Sequence, residues 1–283
     1  MDNIANKKSP WVERYRPEGS NLIIKTRANS SLEGAQAAHI QKAFDDAVKM
    51  VSKGLETLQN YDENSPERVK WLLEVLFSSN FLDGNDNPLT DLTIAMDQMK
   101  DGLEEEVTIK VFDRSTIPGS AGYVNFRPVG YKAPKQTDQL VFTPISKTVR
   151  KQVESVAGNI HLSTGLLINQ PVAQATKSII HEAAHRYAGA IDHHYLLRWK
   201  AHRNILAFRY MEPVDAVRNA DSIARFCQYL ATPGLEAKHP IVVMNKPGPG
   251  RRWFCTPEAE EKLQALLAAK QKGKQDPDGL GPC

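Results

Sequence analysis

Apolar residues recur every three or four positions in several stretches of the chain, which predicts amphipathic helices. The first predicted helix runs from about Ser31 to Gln59, and a second begins at Ser65-Pro66, where a capping hydroxyl precedes a proline. A third helix is predicted from Val172 to Ala188, between Pro171 and Gly189, because proline favours a helix start and glycine a left-handed residue after its end. Two more helices are predicted, one between Pro213 and Pro233-Gly234 and one from Thr256-Pro257 to about Lys270.

Short stretches rich in β-branched and aromatic residues lie between the second and third predicted helices. They predict a small sheet beside the helices, which we expect to be antiparallel. The predicted strands are Val107–Phe112, Gly122–Phe126, Gln139–Phe142 and Asn159–Leu162, with a further one at Ile241–Met244. Residues 1–28 are expected to be irregular, with Trp11, Tyr15 and Leu22-Ile23-Ile24 as packing anchors. The predicted fold class is therefore α+β, mainly helical with a small antiparallel sheet.

The length of 283 residues is sufficient for one large domain with small appendages. We expect an N-terminal extension at 1–29, the main domain at 30–235, a strand and helix packed on it at 236–270, and a disordered tail at 271–283. A net charge of +3 does not argue for nucleic acid or a membrane surface as a partner. Three widely spaced cysteines, Cys227, Cys255 and Cys283, indicate free thiols rather than a disulfide framework. No stretch approaches the eighteen or so apolar residues of a membrane span, and the polar start shows no targeting segment.

The predicted helix at 172–188 contains the sequence His181-Glu182-Ala183-Ala184-His185. Residues four apart in a helix project from the same face, so both imidazoles can reach one ion while Glu182 lies beside them. Zinc accepts neutral imidazole and tolerates three protein ligands with one open position. A glutamate next to such an ion can take a proton from an activated water and later give it to a leaving amine. Because the rest of this helix is apolar, a metal would also supply the partners that its buried polar groups need. The motif thus predicts a zinc site in which Glu182 is the catalytic base.

The third metal ligand has several candidates downstream of His185. Positions three and six residues after it are Ala188 and Ile191, which excludes a pattern with glycine and a third histidine there. Glu212 precedes Pro213 and is therefore biased toward an extended backbone rather than a helix interior. Asp192 lies just past the Gly189 turn, close enough for the chain to fold back onto the metal, and is the better candidate.

The segment Gly189-Ala190-Ile191-Asp192-His193-His194-Tyr195 resembles the Gly-Thr-x-Asp-x-x-Tyr-Gly motif of the deuterolysin and peptidyl-lysine metalloendopeptidase family, the aspzincins. Asn219-Ala220-Asp221-Ser222 resembles a second segment of that family. The resemblance implies a zincin-like metallopeptidase domain with Asp192 as the third zinc ligand. The threonine and final glycine of the motif are replaced here by Ala190 and Leu196, so the local turn is expected to differ.

The same resemblance assigns roles to two further residues. It implies that Tyr195 donates a hydrogen bond near the scissile carbonyl or the S1′ pocket, the alternative being a packing tyrosine. It implies that Asp221 faces the S1′ pocket, although Asp221 is equally suited to a structural role. The residue three positions on is Ala224 rather than a second carboxylate, so lysine specificity is not predicted. His193 and His194, beside Asp192, remain alternatives as metal ligands or substrate contacts, whereas His161 and His202 are expected to be ordinary polar or partly buried residues.

The resulting hypothesis is a zinc-dependent endopeptidase that acts on a protein or peptide substrate. Since no signal peptide is visible, we expect synthesis in the cytoplasm and export as a bacterial effector or toxin by a signal-independent apparatus such as type VI secretion. A cognate immunity protein and a component of the secretion apparatus would then be partners. Two alternatives remain open, namely a metallo-amidase acting on cell-wall peptides and a non-catalytic, zinc-stabilised binding protein.

Overall fold

A computed structural model describes residues 9–78, 81–82, 88–113, 122–126, 157–167, 170–190, 216–235, 243–245 and 252–254. Within these ranges the chain forms five helices, a single helical turn at Thr164–Leu167 and seven strands. The helices are α1 (Gly34–Gln59), α2 (Glu67–Phe77), α3 (Pro88–Glu104), α4 (Val172–Ala188) and α5 (Ala220–Ala231). The predicted strand at 139–142, the predicted helix at 256–270 and the tail at 271–283 lie outside the described residues.

Five strands form one mixed sheet. They are β1 (Trp11–Tyr15), β2 (Leu22–Arg27), β3 (Val107–Phe112), β4 (Gly122–Phe126) and β5 (Ala157–Ser163), in the order β1-β2-β3-β5-β4. The three central strands run parallel, β2 with β3 and β3 with β5, while β1 and β4 are antiparallel to their neighbours at the two edges. A separate pair, β6 (Val243–Asn245) and β7 (Arg252–Phe254), is antiparallel.

The α+β class is confirmed, but two details of the predicted sheet are wrong. The main sheet is mixed rather than antiparallel, because α1, α2 and α3 all lie between β2 and β3 and carry the chain back to the same end of the sheet. The expectation that residues 1–28 are irregular is also wrong, since β1 and β2 belong to this sheet. Leu22 and Ile24 are fully buried as expected, and Tyr15 packs against the core. The predicted domain boundaries stay a prediction.

Helix α3 was not expected from the sequence. Its buried residues Leu92, Met96, Met99 and Leu103 recur at helical spacing, but polar residues such as Asp91 and Asp97 interrupt the pattern. The other helices agree well with the expectation. Helix α1 buries apolar residues that recur every three or four positions, namely Ile40, Phe44, Ala47, Val51, Leu55 and Leu58. Helix α2 begins after Pro66, as predicted.

One hydrophobic core lies between the helices and one face of the sheet. Alternate residues of the strands, among them Ile24, Ile109 and Ile160, are fully buried in it. Helix α4 lies at its centre and packs against α1, α3, α5, β4 and β5. The Arg186 side chain also contacts the backbone oxygen of Gly158, which holds the end of α4 onto β5. The helix with the histidine pair is therefore fixed on several sides.

Two further expectations concern cysteine and membranes. Cys227, on α5, is a buried free thiol, as expected, and Cys255 and Cys283 lie outside the described residues. Within the part of the chain that the structure describes, no helix combines the length and apolar character that crossing a bilayer requires.

Candidate metal centre

Helix α4 has the bounds that its flanking residues predict. Pro171 precedes its first residue, and Gly189 follows its last residue in the left-handed conformation, with φ of 65°. The amides of Gly189 and Ala190 both donate to the carbonyl of Ala184, which ends the helix with a tight turn. Ala190 is thereby placed next to the second histidine of the motif.

His181 and His185 lie one turn apart on α4 and converge. Both are buried, with 6% and 8% of their surfaces exposed. Their Nε2 atoms lie 3.2 Å apart, and the two rings are nearly perpendicular, at 87°. Each ring therefore presents its Nε2, a nitrogen with which histidine binds metals, to the same small space.

The protonation of His185 follows from its neighbour. Its Nδ1 lies 2.7 Å from the backbone oxygen of Ala190. Because a carbonyl oxygen only accepts hydrogen bonds, Nδ1 must carry the hydrogen and donate it. Nε2 of the neutral ring then carries a lone pair, and this lone pair faces His181. A backbone acceptor on the second nitrogen is the usual way in which a metal-binding histidine is oriented.

The spacing of the two nitrogens fits a shared zinc ion. With a Zn–N distance of about 2.05 Å, nitrogens 3.2 Å apart subtend roughly 100° at the ion, near the tetrahedral value of about 109°. Within the described ranges, no group of three or more His, Cys, Asp or Glu side chains is placed to hold a metal. The described residues thus place two nitrogens at a spacing that suits one ion, and a complete set of three ligands would need a group from another part of the chain.

Glu182 lies beside the edge strand β4. It is buried, with 4% of its surface exposed. A Cβ atom added to Gly122 would lie 2.9 Å from Oε1 of Glu182 and 3.1 Å from its Cγ. The carboxylate is therefore accommodated because residue 122 has no side chain. Sequence reasoning missed this role of Gly122, since a glycine within a predicted strand indicates a close approach but not the residue that approaches.

Asp221 is buried at the start of α5, next to the first histidine. One of its oxygens, Oδ1, contacts Nζ of Lys177 and lies 4.0 Å from Nδ1 of His181. The other, Oδ2, lies 3.9 Å from Nε of Arg225. Burial raises the pKa of Asp221, but the nearby Lys177 and Arg225 outweigh it and leave this pKa below its usual value. Burial also lowers the pKa of Lys177, and contact with Asp221 opposes the shift.

A side-chain hydrogen bond and helix packing fix the position of the segment around Asp221. Asn219 precedes the first residue of α5 and is fully buried, and its Nδ2 donates to Oγ of Ser222 at 2.8 Å. Helix α5 packs on α4, which brings Asp221 against Lys177 and His181. Lys177 and Arg225 were not singled out from the sequence. The sequence did contain a signal for them. Lys177 precedes His181 by four residues and Arg225 follows Asp221 by four, so each pair shares a helix face.

His161, on β5, is buried, with 4% of its surface exposed, and so is more buried than the partly buried residue that the sequence predicted. Its ring stacks on Tyr123 with centroids 4.2 Å apart and an interplanar angle of 7°. Burial, and secondarily the charge of Lys110, lowers the pKa of His161 to about 4. The imidazole is therefore neutral near pH 7.

The structure brings His181 and His185 together on α4, with Asp221 of α5 4.0 Å from Nδ1 of His181 and with Glu182 of α4 against β4. Asp192, Tyr195, His193, His194 and Glu212 lie outside the described residues, as does His202. The predicted third ligand, the predicted hydrogen-bond donor and the alternatives to them therefore stay predictions.

The chain was compared with protein families, curated proteins and solved structures. No family model matches the chain, and no curated protein matches it. Among solved structures, a zinc peptidase from Grifola frondosa aligns with 71% of this chain and 99% of its own, at 15% identity and a TM-score of 0.45. A likeness this slight does not assign a fold or an activity.

Proposed function

We propose that this chain is a zinc-dependent endopeptidase. The observation that supports the proposal best is the convergence of the His181 and His185 Nε2 atoms, 3.2 Å apart, on the helix that also carries Glu182. The hydrogen bond from His185 to Ala190 presents the lone pair that a metal requires.

The proposed zinc ligands are His181, His185 and Asp192. The two histidines supply neutral nitrogen ligands, and a carboxylate completes a set of three that leaves one position open, as in catalytic zinc sites. When bound, zinc would supply Lewis acidity that makes water more acidic and polarises a carbonyl group. Asp192 enters the proposal through its place three residues after Gly189.

Glu182 is the proposed general base. Its position next to the histidine pair would let it take a proton from the attacking water and then protonate the nitrogen of the leaving amine. Burial on α4 and the tight fit against Gly122 restrict the positions that its carboxylate can adopt. Tyr195 is the proposed donor to the negative oxygen that develops on the substrate carbonyl.

A peptide is the substrate that the surroundings of Glu182 suit best. β4 is an edge strand, and among the described residues it pairs only with β5. An edge strand can hydrogen-bond an extended peptide as an additional strand. Since Gly122 of β4 adjoins Glu182, a peptide bound along this edge would pass close to the catalytic carboxylate.

The test combines metal analysis with cleavage. Elemental analysis should find one zinc ion per chain in the wild type, and casein should be cleaved. Glu182→Gln should keep the zinc and lose cleavage, whereas His185→Ala should lose the zinc. Glu74→Gln is a matched control, because Glu74 is a buried glutamate on α2 and its variant should keep both properties.

Each alternative gives a different result in this test. Zinc in the wild type without cleavage of any substrate would indicate a zinc-stabilised binding protein. Cleavage of purified peptidoglycan but not of casein would indicate a cell-wall amidase. Cleavage of casein by Glu182→Gln at the wild-type rate would refute the assignment of the base.

The role as a bacterial effector is a separate hypothesis. It would be supported if expression in the bacterial cytoplasm or periplasm harmed the host and the Glu182→Gln variant did not. Growth unaffected by the wild type in both compartments would count against it.

A further inference from the structure

A buried cluster of three charged side chains adjoins the histidine pair. Lys177, Asp221 and Arg225 link α4 to α5, and their side chains are 11%, 1% and 8% exposed. Asp221 lies between the two cations, and its Oδ1 also faces Nδ1 of His181 at 4.0 Å. Buried charges are costly, and neither the fold nor the proposed catalytic steps explain why these lie beside a metal ligand.

We propose that Asp221 is a positioning residue that selects the Nδ1–H tautomer of His181 and so turns the Nε2 lone pair of this ring toward the metal position. Lys177 and Arg225 hold the carboxylate in place for this purpose. The inference deepens the proposed function and rests on His181 being a metal ligand.

The tautomer of His185 limits the choices open to His181. His185 donates from Nδ1 to Ala190, so its Nε2 carries a lone pair, and this atom lies 3.2 Å from Nε2 of His181. His181 can respond in two ways. If its hydrogen is on Nε2, the two rings form a hydrogen bond at 3.2 Å that occupies both nitrogens. If the hydrogen is on Nδ1, both Nε2 lone pairs face the same point, where a cation can bind.

Asp221 decides between these two tautomers. In the second tautomer the Nδ1–H dipole of His181 points to the side on which the carboxylate lies, which is electrostatically favourable. A separation of 4.0 Å exceeds that of a direct hydrogen bond, so the carboxylate acts through its charge. Water screens the charge of the carboxylate only weakly because the cluster is buried. Both histidines then have an acceptor group near Nδ1, a backbone carbonyl for His185 and a carboxylate for His181.

The proposed role differs from a direct contact with substrate in the S1′ pocket, which the family resemblance implied that Asp221 faces. The carboxylate already contacts the ammonium group of Lys177 and adjoins the guanidinium group of Arg225. Only 1% of its side chain is exposed, so a substrate would have to displace these cations to reach it. The two roles make different predictions, because positioning affects the tautomer and the metal affinity, whereas substrate binding affects KM for peptides with basic residues.

The experiment compares the wild type with Asp221→Asn and with the double variant Lys177→Met/Asp221→Asn. The double variant also removes the lysine that Asp221→Asn would leave buried without its ion pair, so it avoids the cost of that buried charge. Glu74→Gln is again the matched control, as it makes the same change from carboxylate to amide at a buried residue of α2. Long-range ¹H–¹⁵N correlation spectra of ¹⁵N-histidine-labelled, metal-free protein report the tautomer of each ring. Competition with a chelator reports zinc affinity.

We expect the Nδ1–H tautomer of His181 in the wild type and in Glu74→Gln, and the Nε2–H tautomer in the double variant. Zinc affinity of the double variant should be weaker by roughly ten- to a hundredfold, as for other groups that orient metal ligands. An Nδ1–H tautomer retained in the double variant would overturn the inference, as would unchanged zinc affinity. If the wild type binds no zinc, the proposed function fails, and the tautomers in the metal-free protein still decide the inference separately.

Discussion

Addition of a single methyl group at Gly122 tests whether the position of Glu182 matters for turnover. In Gly122→Ala the new Cβ would lie 2.9 Å from Glu182 Oε1 and 2.9 Å from the backbone oxygen of His161. Ordinary contacts of this kind are 3.4–4 Å long, so these atoms must separate by about 0.5 Å. β5 is held by strands on both sides, so the edge strand β4 and the Glu182 side chain are the groups that move.

The size of the effect follows from the sensitivity of proton transfer to position. A misplacement of about 1 Å can cost roughly a hundredfold in rate, so a shift of half that size should lower kcat roughly tenfold, or about 1.4 kcal/mol in the barrier. Zinc affinity should change little, because the atoms nearest to the added methyl group belong to Glu182 and His161 and not to the histidine pair. Peptide cleavage at saturating substrate gives kcat, and chelator competition gives the zinc affinity.

Gly54→Ala is a matched control for this experiment. Its Cβ would lie 2.5 Å from Cε of Met96 and 3.4 Å from Sγ of Cys227, so it crowds the core without touching Glu182. Overpacking of this kind costs about 1–3 kcal/mol of stability, which thermal unfolding measures in both variants. The reasoning is refuted if Gly54→Ala and Gly122→Ala lose the same fraction of kcat, or if Gly122→Ala turns over as fast as the wild type.

Three further predictions concern stability and reactivity. Gly102→Ala would place a Cβ 2.2–2.6 Å from ring atoms of Tyr187, so urea denaturation should show a loss of about 1–3 kcal/mol in the free energy of unfolding; an unchanged midpoint would contradict this packing. Because burial raises the pKa of the Cys227 thiol well above its usual value, iodoacetamide should alkylate this thiol only after unfolding, and mass spectrometry of native protein showing modification at neutral pH would argue against it. The pKa of His161 is lowered to about 4 in the folded protein, so as the pH falls this imidazole is protonated in the unfolded chain before it is protonated in the folded one. The stability from neutral His161 is present above pH 6.5 and is lost progressively toward pH 4, by roughly 3 kcal/mol in total. In His161→Phe the pH dependence of the unfolding free energy over this range should be shallower, and an equally steep dependence would show that another group is responsible.

The sequence predicts α4 to the residue because the signals at both of its ends are local. Pro171 and Gly189 act through their own backbone conformations, so no information about distant parts of the chain is needed. The histidine pair is equally local, since residues 181 and 185 share a face in any helix. The strands β3 and β4 were also predicted with the correct bounds.

Features that depend on distant contacts were predicted less well. The direction of β2 relative to β3 is set by the helices between them, and no residue within either strand records it. The environment of Asp221 likewise depends on the packing of α5 against α4, which places it beside Lys177. Its charge was evident in the sequence, but its partners were not.

The turn at Gly189 both ends helix α4 and orients the imidazole of His185. The same few residues end α4 and supply, through Ala190, the acceptor that orients His185. Fraying of the last helical turn would therefore release the imidazole, and an ion that needs this orientation would suppress the fraying. Hydrogen exchange at the Ala190 amide, which is bonded to Ala184, should then slow on saturation with metal, so that the C-terminus of the helix acts as a sensor of occupancy.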